Sequence, residues 1–211
     1  YLDLRDTFVD NYFYLFRFKK RMFFHFILIW VEKFTFNSCD SINLVSLGFK
    51  ELLTNIDQLT IKNNISITNF TNGIDPKLKI KLQKINSNNL RSDDIFRVVY
   101  IGNLGEGQNL LGLINELVKD KKIIRKLIDN KIIFEIYGSG IQLSAIKNLL
   151  SSRKTSGEIN INNVIKYSGL VKKEKIYTLY KKANCLMLQL SKTKSIECVI
   201  PSKIFEYSST D

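Results

Sequence analysis

The stretch Ile132-Ile133-Phe134-Glu135-Ile136-Tyr137-Gly138-Ser139-Gly140 decides the fold. Its start is a β-rich apolar run too short for a helix, and it ends at the turn signal Gly138-Ser139-Gly140. Apolar residues on both alternations suit a strand buried on both faces, as in a parallel sheet covered by helices. The same unit recurs on either side. Phe96-Arg97-Val98-Val99-Tyr100-Ile101 runs into the loop Gly102 to Gly107, and Val164-Ile165-Lys166-Tyr167 ends at Gly169. Between them, Leu110, Leu113, Ile114 and Leu117 fall at helical spacing, as do residues from about 142 to 150 and from 173 to 182. A further strand is expected over 185–190 and a last helix over 200–207. Alternating strands and helices predict βαβ units and an α/β fold.

Upstream the pattern is similar but shorter. Residues 1–6 read as a strand end running into a loop, 12–36 as a helix, 41–46 as a strand, 48–56 as a helix and 65–68 as a strand. Asn72-Gly73-Ile74-Asp75-Pro76 reads as a turn, since Asn and Gly accept left-handed dihedrals and Pro bars continuation. Residues 77–94 are polar and Asn-rich, and are read as a linker with about one helical turn. The expected organisation is 1–80 as one Rossmann-like domain, 81–94 as linker, and 95–211 as a second.

Composition narrows the function. Hydrophobic residues at 45% supply a core, so disorder is not expected. The net charge of +12 suits nucleic acid, an anionic membrane or anionic small molecules. No zinc-finger spacing, arginine-rich arm or ribonucleoprotein box is present, which argues against nucleic acid. Cys39, Cys185 and Cys198 are far apart and His25 is the sole histidine, so a disulfide framework or zinc site is not expected, and the cysteines are read as buried thiols. The apolar run 22–31 is too short to span a bilayer, which takes about twenty residues. Its basic approach, Arg17, Lys19, Lys20 and Arg21, suits peripheral docking on an anionic leaflet. It equally suits the solvated start of a core helix.

In open parallel sheets ligands sit at the carboxyl ends of the strands. Three such ends carry glycine here, which admits close backbone approach to a ligand. Each glycine alone fits an ordinary turn; three at equivalent places make a binding edge. The loop from Gly102 to Gly107 is G-x-x-G-x-G, so it is neither the dinucleotide fingerprint nor a phosphate loop. In Ile200-Pro201-Ser202-Lys203-Ile204-Phe205-Glu206-Tyr207, Pro201 and Ser202 suit a helix start. Lys203 then lies in a first turn that disfavours a cation, unless a diphosphate binds nearby.

The ordered blocks Tyr100-Ile101-Gly102-Asn103, Phe134 to Gly140, Val164 to Leu190 and Pro201 to Tyr207 resemble the C-terminal domain of retaining group 1 (family 4) glycosyltransferases. These have the GT-B fold of two Rossmann-like domains. Asp3-Leu4-Arg5-Asp6, Val45-Ser46 and Asn72 to Asp75 resemble the latter part of their N-terminal domain. The likeness implies the end of an acceptor-side domain followed by an incomplete donor-binding domain, a fragment expected to be inactive alone. The Pro-Ser-Lys form resembles the subgroup that builds cell-surface polysaccharides such as capsule or O-antigen. It implies transfer of a sugar from a nucleoside-diphosphate sugar to a lipid-linked or saccharide acceptor, in the cytoplasm or at the inner face of the plasma membrane. It implies a donor site of Gly102, Asn103, Gly105, Gly138, Ser139, Gly169, Leu170, Ser202, Lys203 and Glu206. Glu206 matches the second glutamate of the family's pair and would bind the ribose. The first falls on Cys198, with Glu197 one place before it, and the usual Arg and Lys of the first loop fall on Asn103 and Gln108. Lys203 is read as supplying the missing charge. No cofactor is implied, and no metal, since no acidic ligand cluster is evident. Two rivals remain: a nucleotide-sugar epimerase of the same fold, opposed by the single histidine, and an inactive truncated remnant.

Overall fold

A computed structural model describes residues 1–6, 21–55, 65–85, 93–152, 160–192 and 194–210. The chain divides into two compact units, one of Tyr1–Gly73 with Lys192–Ser202, the other of Ile74–Ser191 with Lys203–Asp211.

The first unit holds a three-stranded parallel sheet of β1 (Leu2–Leu4), β2 (Ser41–Leu44) and β3 (Ser66–Thr68), in that order. Leu4, Ile42, Leu44 and Val45 are buried against Phe36, Phe49 and Leu53. Asn43 is buried among them at 3% exposure, which an amide tolerates only when bonded. Its Nδ2 donates to Asp3 Oδ1 at 2.7 Å and to the Phe70 carbonyl at 3.1 Å, while its Oδ1 accepts from Phe70 N at 2.7 Å. The bonds from Asn43 and Arg5 hold the Asp3 carboxyl below its usual pKa. Gly48 opens the Gly48–Asn55 helix because a Cβ there would lie 2.8 Å from Cys198 Cα. Cys198 and Val199 pack on this core, which attaches 192–202 to the first unit.

The predicted helix at 12–36 is observed over Arg21–Asn37, the residues before it lying outside the described part. Phe26, Trp30 and Phe34 recur every fourth residue along it and are each more than 60% exposed, with the Trp30 and Phe34 rings stacked at 5.7 Å. No described helix is long and apolar enough to cross a membrane.

The second unit is built on β4 (Phe96–Asn103), β5 (Ile132–Ser139), β6 (Ile165–Gly169) and β7 (Cys185–Leu186), all parallel, in the order β6-β5-β4-β7. The chain thus winds outward from β4 to β6 and then reverses to the other side of β4. Ligands of doubly wound sheets sit at such reversals. Leu104, Leu110, Ile114, Ile136, Ile146 and Ile165 form the core on one face, each 2% exposed or less.

Four expectations need correction here. Residues 76–84 are a nine-residue helix rather than linker. Asp75 caps it by accepting from Lys77 N at 2.9 Å, and Pro76 sits at its start. Leu78 and Leu82, one turn apart, reach the core with Val99 and Tyr180, while the lysines between them disguised the pattern. A helix at Lys121–Asp129 was not anticipated, because its five charged residues mask the period of Ile123, Ile124, Leu127 and Ile128. Asp120 caps it by accepting from Lys122 N and Ile123 N at 2.8 and 3.2 Å. The strand expected over 185–190 stops pairing regularly at Leu186. Lastly, the thiols are not buried: Cys185 is exposed, and Cys39 and Cys198 are half-buried.

Candidate functional site

A cavity of about 300 Å³ opens at the carboxyl ends of β4 and β5. Pairing of these strands sets Gly102 opposite Gly138 and Asn103 opposite Ser139. Neither strand could keep that approach with a side chain at position 138. Gly138 has φ +140°, and a Cβ there would fall 1.8 Å from the Gly102 carbonyl oxygen. Gly140, at φ +158°, is pressed in the same way against the Leu104 backbone. The resulting floor is held by its own bonds. Leu104 N donates to the Ser139 carbonyl at 2.8 Å, Tyr100 OH to the Asn103 carbonyl at 2.6 Å and Tyr167 OH to the Gly138 carbonyl at 2.9 Å. Burial pushes the Tyr100 phenol up to about 12, so it remains a donor at neutral pH.

Leu170 and Val171, from the loop after β6, and Ile176, from the Lys173–Lys182 helix, form one wall. Lys203 forms another, and its Cε would lie 3.3 Å from a Cβ placed on Gly102. The glycine therefore leaves room for the lysine stem. The lining contains this one cation and no carboxylate, which favours an anionic ligand. A second cavity of about 560 Å³ shares Tyr137, Leu170 and Val171 with the first and carries Lys172, Lys175 and Lys182.

Of the residues singled out in the sequence, Gly102, Asn103, Gly138, Ser139, Leu170 and Lys203 meet in this cavity. Gly105 is not among the lining residues, and a Cβ on it would fall 2.7 Å from Asn103 Nδ2. Gly169 ends β6 just before Leu170, at φ +88°. Ser202 precedes the Lys203–Tyr207 helix and groups with the first unit. Glu206 does not line the cavity. Its Oε2 accepts instead from Tyr180 OH at 2.7 Å. Lys19 and Lys20 lie outside the described residues, as does the side chain of Arg21.

Sequence reading missed Tyr137, Val171 and Ile176 as lining residues. Tyr137 offered a signal, since it immediately precedes the glycine at a strand end. Its hydroxyl donates to Glu135 Oε2 at 2.9 Å, and burial, aided by that bond, pushes the phenol up to about 12. Arg97 completes the group, 3.5 Å from Glu135 and paired with Asp93. Among the described residues, no group of three or more His, Cys, Asp or Glu side chains is placed to hold a metal ion.

No family model and no curated protein matches the chain. Solved structures do. The chain is similar to the pneumococcal O-GlcNAc transferase GtfA, solved with UDP and GlcNAc, at TM-score 0.56 and 12% identity over 84% of this chain and 30% of that one. It is also similar to sucrose-phosphate synthase from Thermosynechococcus elongatus, at TM-score 0.58 and 13% identity, over 93% of this chain and 48% of that one. The fold is therefore α/β with parallel sheets and matches part of the GT-B glycosyltransferase structures. The chain spans less than half the length of either structure.

Proposed function

We propose that the chain is the donor-binding part of a retaining glycosyltransferase that moves a sugar from a nucleoside-diphosphate sugar to a lipid-linked or saccharide acceptor in cell-surface polysaccharide assembly. The observation that carries this reading is the glycine-floored cavity at the carboxyl ends of the parallel strands β4 and β5, with Lys203 its one charged lining residue. UDP and GlcNAc in the GtfA structure support a nucleotide-sugar ligand for a fold of this kind. Bond cleavage leaves negative charge on the departing diphosphate. Lys203 and the backbone amides around Gly102 and Gly138 would stabilise that charge in place, which is where electrostatic catalysis gains most. Glu206 is assigned to the ribose hydroxyls. Losing a hydrogen bond to a charged group costs about 1.5–3 kcal/mol, so Glu206→Ala is expected to weaken nucleoside diphosphate binding about tenfold or more. Calorimetry showing unchanged affinity sinks the assignment.

We also propose peripheral docking on an anionic membrane, through Lys19, Lys20 and Arg21 and the exposed rings of Phe26, Trp30 and Phe34. Each basic residue near such a surface contributes about 1 kcal/mol, so replacing the three by Ser should weaken vesicle binding by about a hundredfold. Co-sedimentation with anionic vesicles reads this, and salt should reduce binding by the parent protein. A triple variant that sediments like the parent removes the basic cluster from the contact.

A further inference from the structure

The Tyr180 side chain is among the most enclosed polar ones in the second unit, at 2% exposure on the Lys173–Lys182 helix. Its ring is fixed from two sides. Tyr207 meets it edge-on at 5.2 Å between centroids and 83° between planes, and Tyr177 at 6.2 Å and 66°. A phenol held this way has one direction for its hydroxyl, and that hydroxyl points at Glu206. Burial first, and the bond to Glu206 second, raise the Tyr180 pKa, so the phenol keeps its proton and donates it to the Glu206 bond.

A carboxylate offers two oxygens and about four lone-pair directions. Tyr180 takes Oε2 of Glu206, and among the described residues no other side-chain hydrogen bond to Glu206 is present. Oε1 is left to bond elsewhere. Glu206 lies on the same short helix as Lys203, which reaches the cavity. A glutamate in a five-residue helix has little packing of its own: no residue of that helix is fully buried. Without an anchor its three side-chain torsions would be unfixed, and ordering them on binding would cost affinity.

We infer that Tyr180 is a positioning residue: its hydroxyl anchors one oxygen of Glu206 so that the other is presented to the ribose hydroxyls of a bound nucleotide. This rests on the assignment of Glu206 to the ribose.

The test compares the protein with its Tyr180→Phe and Glu206→Ala variants, using Glu206→Gln where the alanine variant melts low. Phenylalanine keeps the ring packing and removes only the hydroxyl. Folding is checked by circular dichroism. A panel of UDP, GDP, ADP, CDP and dTDP identifies the tightest-binding base by calorimetry, and the ribose and 2′,3′-dideoxyribose diphosphates of that base are then the probes. Tyr180→Phe should weaken the ribose form about threefold to tenfold, in line with the loss of a charge-assisted bond. It should leave the dideoxy form almost unchanged, so the preference between the two sugars shrinks. A merely structural tyrosine would weaken both forms alike, and that result overturns the inference. So does a Glu206→Ala variant that loses ribose preference while Tyr180→Phe keeps it, which leaves the Glu206 assignment standing. Unchanged binding in Glu206→Ala, or no binding of any panel member, removes the assignment and the inference with it.

Discussion

Gly138→Ala should leave the second unit unfolded, or cost it about 4 kcal/mol or more, the range reserved for the most disruptive single changes. Two independent terms add. At φ +140° an L side chain is strained wherever there is space, a term of order 1–3 kcal/mol. Here there is also no space, because the new Cβ would sit 1.8 Å from the Gly102 carbonyl oxygen. Relief would require β4 and β5 to part at the Gly102–Gly138 pair. That would strain the Leu104 to Ser139 bond and the Tyr167 to Gly138 bond beside it. Urea denaturation followed by circular dichroism measures the loss. Gly73→Ala serves as control, since nothing lies within 4 Å of its Cβ direction. A Gly138→Ala protein within 1 kcal/mol of the parent, on the order of an average mutation, contradicts the close approach.

Leu82→Ala is expected to destabilise the second unit by about 2–5 kcal/mol, the range for a fully buried leucine whose cavity cannot collapse. Leu82 has 0% exposure and packs with Val99, Ile101, Tyr180 and Ala183. The neighbours are a central strand and a helix fixed to it, so the void would persist. Ile80, on the same helix but 52% exposed, gives the comparison: Ile80→Ala should change stability by about 0.5 kcal/mol or less. Equal effects of the two substitutions would mean that Pro76–Lys84 is the loose connection its composition suggests.

These two sites also mark what the sequence could and could not reveal. Strands β4, β5 and β6 were legible because each is an apolar run closed by glycine, a local signal that tertiary context does not alter. The Lys173–Lys182 helix was legible to the residue for a similar reason, with Ile176, Tyr180 and Ala183 at core spacing. The cavity followed from topology, since parallel strands bring Gly102, Gly138 and the loop at Leu170 to one edge. The Pro76–Lys84 helix was hidden because two inward leucines suffice to bury it, too few to show a period among four lysines. The bond between Tyr180 and Glu206 links residues 26 apart on different helices. Only the packed aromatic cluster selects that pairing, and no spacing rule encodes it.

The interleaved membership of 192–202 bears on how the protein is made. The first unit is not contiguous: its last segment, carrying Cys198 and Val199 into the core beside Phe49, follows all four strands of the second. At roughly 5–20 residues per second, synthesis of Ile74–Ser191 delays that segment by on the order of ten seconds. During that interval Gly48 faces the place that Cys198 will fill, and the nascent first unit presents an incomplete core to whatever chaperones attend the ribosome. Both units therefore close late, the first with 192–202 and the second with Lys203–Asp211 directly after it, so neither can complete its core before the other is nearly made.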